Sequence, residues 1–258
     1  MECAAPKVGN VTPEHAFDDL TYDHFARSAP ITARWMNQAA ALGVGPAIEG
    51  AATEIMQVVG QNTHLGILLL LAPLVACERR TDLSNVLQSL SVDDARDVYG
   101  AIRVMEPGGM GDAEEQDVRD EPTATLLECM RLATDRDSIA RQYANGFADV
   151  FRFADGLDPT EFAEDWRSAI LQLQLQIMAE LPDTLIARKC GAEVAEESAT
   201  RARAVLECGA GTDVVSEFDH WLRADGHRRN PGTTADLIAA TLFVALREQR
   251  ISPPASFT

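Results

Sequence analysis

Twelve residues, LGILLLLAPLVA (65–76), constrain this chain more than any other stretch. A run so aliphatic has to be buried along its length. It is nevertheless shorter than the roughly 20 residues that a bilayer-spanning helix needs, and it contains Pro73. It reads as a helix in the core of a protein. Three hydrogen-bonding side chains, Asn62, Thr63 and His64, stand directly in front of it. In one reading Asn62 and Thr63 cap the helix and His64 sits at its rim. In the other, the polar start is offered to a nucleotide phosphate or ribose, because a helix N-terminus carries free N–H groups and a partial positive charge.

Helix signals recur along the rest of the chain. Pro46 opens PAIEGAATEIMQVVG, whose apolar residues keep helical spacing until Gly60. Ser91 and Asp94 form a capping-box pattern ahead of DARDVYGAIRVM, which PGG ends. Asp158, Pro159 and Glu161 do the same for EFAEDWRSAILQLQLQIMAEL, expected as one helix. LQLQLQI alternates with period two, but its helical flanks and the absence of turn residues favour helix. Thr233, Thr234 and Asp236 open TADLIAATLFVALREQR, and Thr233-x-x-Asp236 also matches a capping box. There is no βαβ alternation, no GxGxxG and no Walker lysine loop. The expected fold is all-α, about ten or more helices packed as a single domain over 1–258.

Charge narrows the partners. The chain carries 22 Lys and Arg against 40 Asp and Glu, a net charge of −18. Such a surface repels nucleic acid and anionic membranes, so neither is an expected partner. Any anionic substrate has to be met by a local basic cluster or a metal ion. The five cysteines are unpatterned, which suits reduced thiols in a cytoplasmic protein, and MECAAPKVGN lacks a signal-peptide pattern.

Against that background the basic residues stand out. DTLIARKCG (183–191) carries Arg188 and Lys189; GHRRNPGTTADL (226–237) places His227, Arg228 and Arg229 before a Gly-Thr-Thr helix start. PKVGNV (6–11) precedes His15, Asp18 and Asp19, and EPGGMG (106–111) leads toward Asp117, which, like Asp137, reads as structural.

Five stretches together carry a resemblance: KVGNV (7–11), GQNTHLG (60–66), PGGMG (107–111), DTLIARKCG (183–191) and NPGTTADL (230–237). In this order they resemble the successive motifs of the triphosphoribosyl-dephospho-CoA synthase family, over Lys7 to about Phe243. The resemblance implies an all-α enzyme that moves a triphosphoribosyl unit from ATP to a ribose hydroxyl of 3′-dephospho-CoA and releases adenine. PGGMG with EQDV, RDSIARQYANGF and LIARK look like a branch found in archaea and in bacteria with methanogen-type one-carbon cofactors. The citrate lyase branch has lysine where this chain has Leu65, and proline where it has Val8. Those departures keep two alternatives in view. One is a related transferase acting on another phosphorylated precursor of one-carbon cofactors such as methanopterin or methanofuran. The other is a non-catalytic nucleotide-binding helical protein.

The residue types suit the implied reaction. Breaking an N-glycosidic bond builds positive charge on the ribose, which carboxylates stabilise, and the attacking hydroxyl needs a base. His64, Asp18 and Asp236 are the catalytic candidates. Lys7, Asn10, Asn62, Thr63, Arg188, Lys189, Arg228, Arg229, Asn230, Thr233 and Thr234 are candidates for the phosphates and sugar. Mg²⁺ is the expected cofactor, with Asp18, Asp19 and Glu54 as oxygen ligands. ATP and a nucleotide-like acceptor are the expected partners, and a homodimer is left open.

Overall fold

Every regular element among the described residues is helical, fifteen α-helices and two short 3-10 turns, as the capping and spacing signals require. The computed structural model describes residues 1–109, 111 and 113–255, so Met110 of the EPGGMG loop lies outside the described residues. The sequence offers one domain over 1–258; its helices gather into two compact units, one of residues 23–148, the other of residues 1–22 together with the chain from Asp149 onward.

The first unit holds α1 (Tyr22–Met36), α2 (Ala39–Leu42), α3 (Val44–Val58), α4 (Leu65–Ala76), α5 (Leu83–Ser89), α6 (Val92–Met105), α7 (Leu126–Leu132) and α8 (Ser138–Asn145). Its centre is α4, the aliphatic run, with Leu68, Leu70, Ala72 and Leu74 out of contact with solvent. Pro73 sits inside α4 and has no N–H for the carbonyl of Leu69 one turn earlier. Tyr143, buried on α8, donates its hydroxyl to that carbonyl at 2.6 Å. The proline is thus tolerated because a side chain from another helix replaces the missing donor. At α6 the capping box forms as the sequence predicts: Ser91 accepts from the Asp94 N–H, and Asp94 accepts from the Ser91 N–H at 2.8 Å. Asp94 also accepts from the Gly45 N–H at 2.9 Å, tying the start of α3 to α6. Gly45 permits that approach, since a Cβ there would lie 2.6 Å from the Asp94 Cα.

The second unit holds α9 (Ala148–Gly156), α10 (Pro159–Glu164), α11 (Trp166–Glu180), α12 (Thr184–Cys190), α13 (Ala192–Glu207), α14 (Thr212–Arg223) and α15 (Gly232–Arg247). LQLQLQI is helical, within α11. The single helix expected from Asp158 is, however, two. Asp165 leaves the helical region (φ −147°, ψ 83°), and its side chain accepts from the N–H groups of Arg167 and Ser168, so the chain restarts as α11. An aspartate competes with the helical backbone for its own hydrogen bonds, and here it wins. The core joins Leu175 and Met178 of α11, Ile186 of α12, Ala195, Ala202 and Val205 of α13, and Phe218 and Leu222 of α14. Val8 from the N-terminal loop is packed into that same core.

Asp137 caps α8 by accepting from the N–H groups of Ile139 and Ala140. Asp117 accepts from the Ala113 N–H and from the Arg119 side chain, which hold its carboxyl far below the usual carboxylate range. Both carboxylates organise backbone, as the sequence suggests.

Candidate active site

In the second unit the KVGN loop is fixed on every side. Gln174, buried within α11, accepts from the Val8 N–H and donates to the Val8 carbonyl, both at 2.8 Å, and donates to Asn10 Oδ1 at 2.9 Å. Asp219 accepts from the Gly9 N–H at 2.7 Å. Gly9 has φ +67°, and a Cβ there would meet Leu222 at 2.8 Å, so glycine is required both for conformation and for room. Arg223 pairs with Asp219 at 2.9 Å and donates to the Asn10 carbonyl at 2.8 Å. Asn10 donates through Nδ2 to Asn230 Oδ1 at 2.6 Å and to the Pro231 carbonyl at 3.2 Å. Two of the sequence motifs, KVGN and NPG, therefore touch.

Asp183 ties in a third. One carboxylate oxygen accepts from the N–H groups of Leu185 and Ile186 and caps α12; the other accepts from the Thr234 N–H at 2.7 Å and its hydroxyl at 2.8 Å. Burial pushes this carboxyl up, against the hydrogen bonds that pull it down. Thr184 donates to Thr233 Oγ1 at 3.2 Å across the same pair of helix starts. The capping box whose pattern Thr233 and Asp236 match does not form, for α15 starts after Pro231 with no side-chain cap of its own. Asp183 fills that role from another helix, and Asp236 lies half-buried on the first turns of α15.

These contacts show what several of the expected site residues bond within the protein. Lys7, assigned to phosphate, has a side chain without solvent exposure; its Nζ pairs with the Glu2 carboxylate at 3.1 Å and donates to the Glu2 carbonyl at 2.8 Å. Asn10 uses both ends of its amide inside the protein. Both hold the loop in place, and neither has a spare donor. Arg229 donates to the Trp221 carbonyl at 2.9 Å and lies 4.5 Å over its ring. Arg228 pairs with Asp225 at 3.3 Å and donates to the Lys189 carbonyl at 3.1 Å, so the two basic motifs are neighbours. Burial pulls the Lys189 ammonium down, and the field of Asp19 works against that shift. Asp19 itself meets His227 at 3.2 Å, while Asp18 beside it is exposed.

The first unit contains the polar start of α4. His64 occupies the N-cap position and Thr63 precedes it; no side chain caps the helix from the N-cap itself. The bond from the Leu65 N–H to Asn62 Oδ1 is long, 3.4 Å. Two residues one turn apart on α1 hold the pair: Thr63 donates to Ser28 Oγ at 2.7 Å, and Thr32 Oγ1 lies 2.8 Å from His64 Nδ1. Ser28 passes its own proton to the His24 carbonyl at 2.8 Å. The Phe25 ring lies 5.9 Å from the imidazole, centroid to centroid. His64 is only 6% exposed, and burial holds its ring down to about 4, so it is neutral at pH 7. Glu54, expected at a metal, is spent elsewhere in this unit. One oxygen pairs with Arg34 and the other accepts from Trp35 Nε1 at 2.8 Å, which lowers its carboxyl and binds α3 to α1.

Among the described residues no group of three or more His, Cys, Asp or Glu is gathered to hold a metal ion. No described helix is long and apolar enough to cross a membrane.

The family profile of ATP:dephospho-CoA triphosphoribosyl transferase (CitG) matches residues 1–254, nearly the whole chain. The chain belongs to this family. The structure of a protein from Archaeoglobus fulgidus assigned as a triphosphoribosyl-dephospho-CoA synthase superposes with a TM-score of 0.70 at 26% identity, covering 87% of this chain and 99% of that one. A relative from Stutzerimonas stutzeri (strain A1501), assigned as a 2-(5′′-triphosphoribosyl)-3′-dephosphocoenzyme-A synthase, is 38% identical over 95 residues. That match spans 35% of this chain and 31% of the relative's length. Of the five motifs that carry the family resemblance in the sequence, KVGNV, GQNTHLG, DTLIARKCG and NPGTTADL lie wholly within the described residues, while PGGMG contains Met110, which does not. The structure adds Gln174, Asp219 and Arg223 behind the first and Ser28 and Thr32 behind the second. Gln174 is the middle one of three glutamines in LQLQLQI (171–177), and the sequence does not set it apart from Gln172 and Gln176. Ser28 and Thr32 are no better marked.

Proposed function

We propose that this protein transfers the triphosphoribosyl unit of ATP to a ribose hydroxyl of 3′-dephospho-CoA and releases adenine. The observation that carries the reading is the family match over residues 1–254. In the reaction the C1′–N9 bond of ATP breaks and a bond from C1′ to the acceptor oxygen forms. The hydroxyl gives up one proton and the departing adenine takes one up. Positive charge develops on the ribose between those events, and a carboxylate near it lowers the barrier. Asp18, exposed, and Asp236, half-buried on α15, are the acids assigned to that work.

Arg188, Lys189, Arg228 and Arg229 supply cations for the triphosphate, and Thr233 and Thr234 stand at the start of α15. Mg²⁺ fits as a companion of the triphosphate. It needs only one or two protein carboxylates when phosphates complete its shell, and Asp18 with Asp19 are the pair to hold it. Bound there, it would neutralise phosphate charge. Glu54 does not fit, because both its oxygens are engaged. In the unit of residues 23–148, His64 with Asn62 and Thr63 forms a polar helix start of its own, and the neutral ring has one nitrogen, Nε2, left for a ligand.

Incubation of the purified protein with ATP and Mg²⁺, with and without dephospho-CoA, tests the reading. Adenine release that depends on dephospho-CoA supports it. Release that needs a different phosphorylated acceptor moves the reaction to one-carbon cofactor precursors, and ATP binding without release leaves a nucleotide-binding protein.

A further inference from the structure

Three buried hydroxyls surround the start of α4, and their hydrogen bonds can be followed proton by proton. Thr63 gives its proton to Ser28 Oγ, and Ser28 gives its own to the His24 carbonyl. The single proton of Ser28 is thereby used. Thr32, 5% exposed, has a single partner among the described residues, His64 Nδ1 at 2.8 Å. A hydroxyl has one proton and an imidazole nitrogen has either a proton or a lone pair, so that bond has two possible directions. If Nδ1–H were the donor, the Thr32 proton would be left buried without an acceptor, which is unfavourable. If Thr32 donates, every buried proton in the cluster is satisfied. The neutral ring then carries its own proton on Nε2. That nitrogen makes no hydrogen bond to a described residue, and it is not among the unpartnered polar atoms sealed from solvent.

We propose that Thr32 fixes His64 in the tautomer protonated at Nε2, so that His64 presents a hydrogen-bond donor to an acceptor atom of the bound nucleotide and does not serve as the base that takes the attacking hydroxyl's proton. The tautomer follows from the structure alone; the catalytic use rests on the transferase reading above. Thr32 is a positioning residue, since it acts through His64. The Phe25 ring and the burial of the site keep the imidazole from gaining a second proton, which a donor does not need.

Long-range ¹H–¹⁵N correlation spectra of the ligand-free ¹⁵N-labelled protein at pH 7 read the tautomer directly. The expected result is a protonated Nε2 and an unprotonated Nδ1 for His64, kept in Thr32→Ser and redistributed toward the other tautomer in Thr32→Val. A protonated Nδ1 in the wild-type protein overturns the proposal, and so does an unchanged tautomer in a folded Thr32→Val variant. Should Thr32→Val fail to fold, the wild-type and Thr32→Ser spectra decide the tautomer by themselves. Adenine release then tests the use. Glutamine can place an amide N–H where Nε2–H lies but cannot act as a base, so His64→Gln should stay within about tenfold of wild type while His64→Ala falls at least a hundredfold. Equal loss in both variants overturns the donor role. No release by the wild-type enzyme removes the transferase reading and leaves the tautomer standing or falling on the spectra.

Discussion

The hydroxyl of Tyr143 donates to the carbonyl of Leu69 at 2.6 Å, the carbonyl that Pro73 leaves without its helical partner. A proline in the middle of the most buried helix is therefore paired with a tyrosine 70 positions further along the chain. Tyr143→Phe should destabilise the protein by about 1–3 kcal/mol, because the Leu69 carbonyl is left buried and unsatisfied. In a Pro73→Ala background the restored N–H should absorb most of that loss. A double-mutant cycle in urea measures the coupling, and additive losses would separate the two residues.

Asp183 should be intolerant of its closest isostere. Asparagine keeps one acceptor for the start of α12 but sets an NH₂ group against the Thr234 N–H, which now donates to Asp183 Oδ2. Asp183→Asn is expected to cost about 2 kcal/mol or more, and Thr234→Val about 1 kcal/mol, since the latter removes one hydrogen bond without opposing two donors. Equilibrium unfolding checks both. A neutral Asp183→Asn would mean that α15 is anchored by something else.

Gly9→Ala should be destabilising for two separable reasons, the φ of +67° and the 2.8 Å approach to Leu222. Leu222→Ala removes the Cδ1 contact but keeps the Leu222 Cβ at 2.9 Å and Pro231 Cδ at 3.0 Å. Gly9→Ala should therefore lower the melting temperature somewhat less in a Leu222→Ala background than in the wild type; an equal drop would place the cost in the backbone and the contacts that remain.

His64 gives stability a pH dependence of definite sign. Its ring titrates near 6.5 when exposed and near 4 in the folded protein, because burial disfavours the charged form. Between those values the unfolded chain binds the extra proton, so stability falls as pH falls through that window, and the loss levels off below about 4. The total is about 3 kcal/mol and the part lost between pH 7 and 5 is about 2 kcal/mol. His64→Gln lacks this term. Unfolding free energies from urea melts of both proteins should show the wild type losing about 2 kcal/mol more than His64→Gln between pH 7 and pH 5; parallel losses would contradict a buried neutral ring.

Much of the fold is legible in the sequence because its determinants are local. Ser91 and Asp94 sit three residues apart and cap α6 as written, and the aliphatic run at 65–76 admits only a buried helix. Asp165 escapes such reading, for an aspartate inside a helical pattern is compatible with continuation until its side chain is seen bonding Arg167 and Ser168. The candidate site divides the same way. Asn62, Thr63 and His64 stand out as polar residues before an apolar run. Whether a basic residue is available to a ligand depends on contacts distant in sequence, and Lys7, closed off by Glu2, looks no different from Lys189 in the sequence. Thr32 and Ser28 act through bonds spanning 32 and 35 positions, and nothing in YDHFARSAPITARWM marks them.

The most direct test of the account is the identity and stoichiometry of the products. Purified protein given ATP and dephospho-CoA should form one adenine for each molecule of a product heavier than dephospho-CoA by the triphosphoribosyl unit, resolved by liquid chromatography and mass spectrometry. Asp236→Asn should lower the rate of both by about two orders of magnitude, equivalent to roughly 3 kcal/mol of transition-state stabilisation. Unchanged dephospho-CoA with intact ATP, in a folded protein supplied with Mg²⁺, would contradict the account.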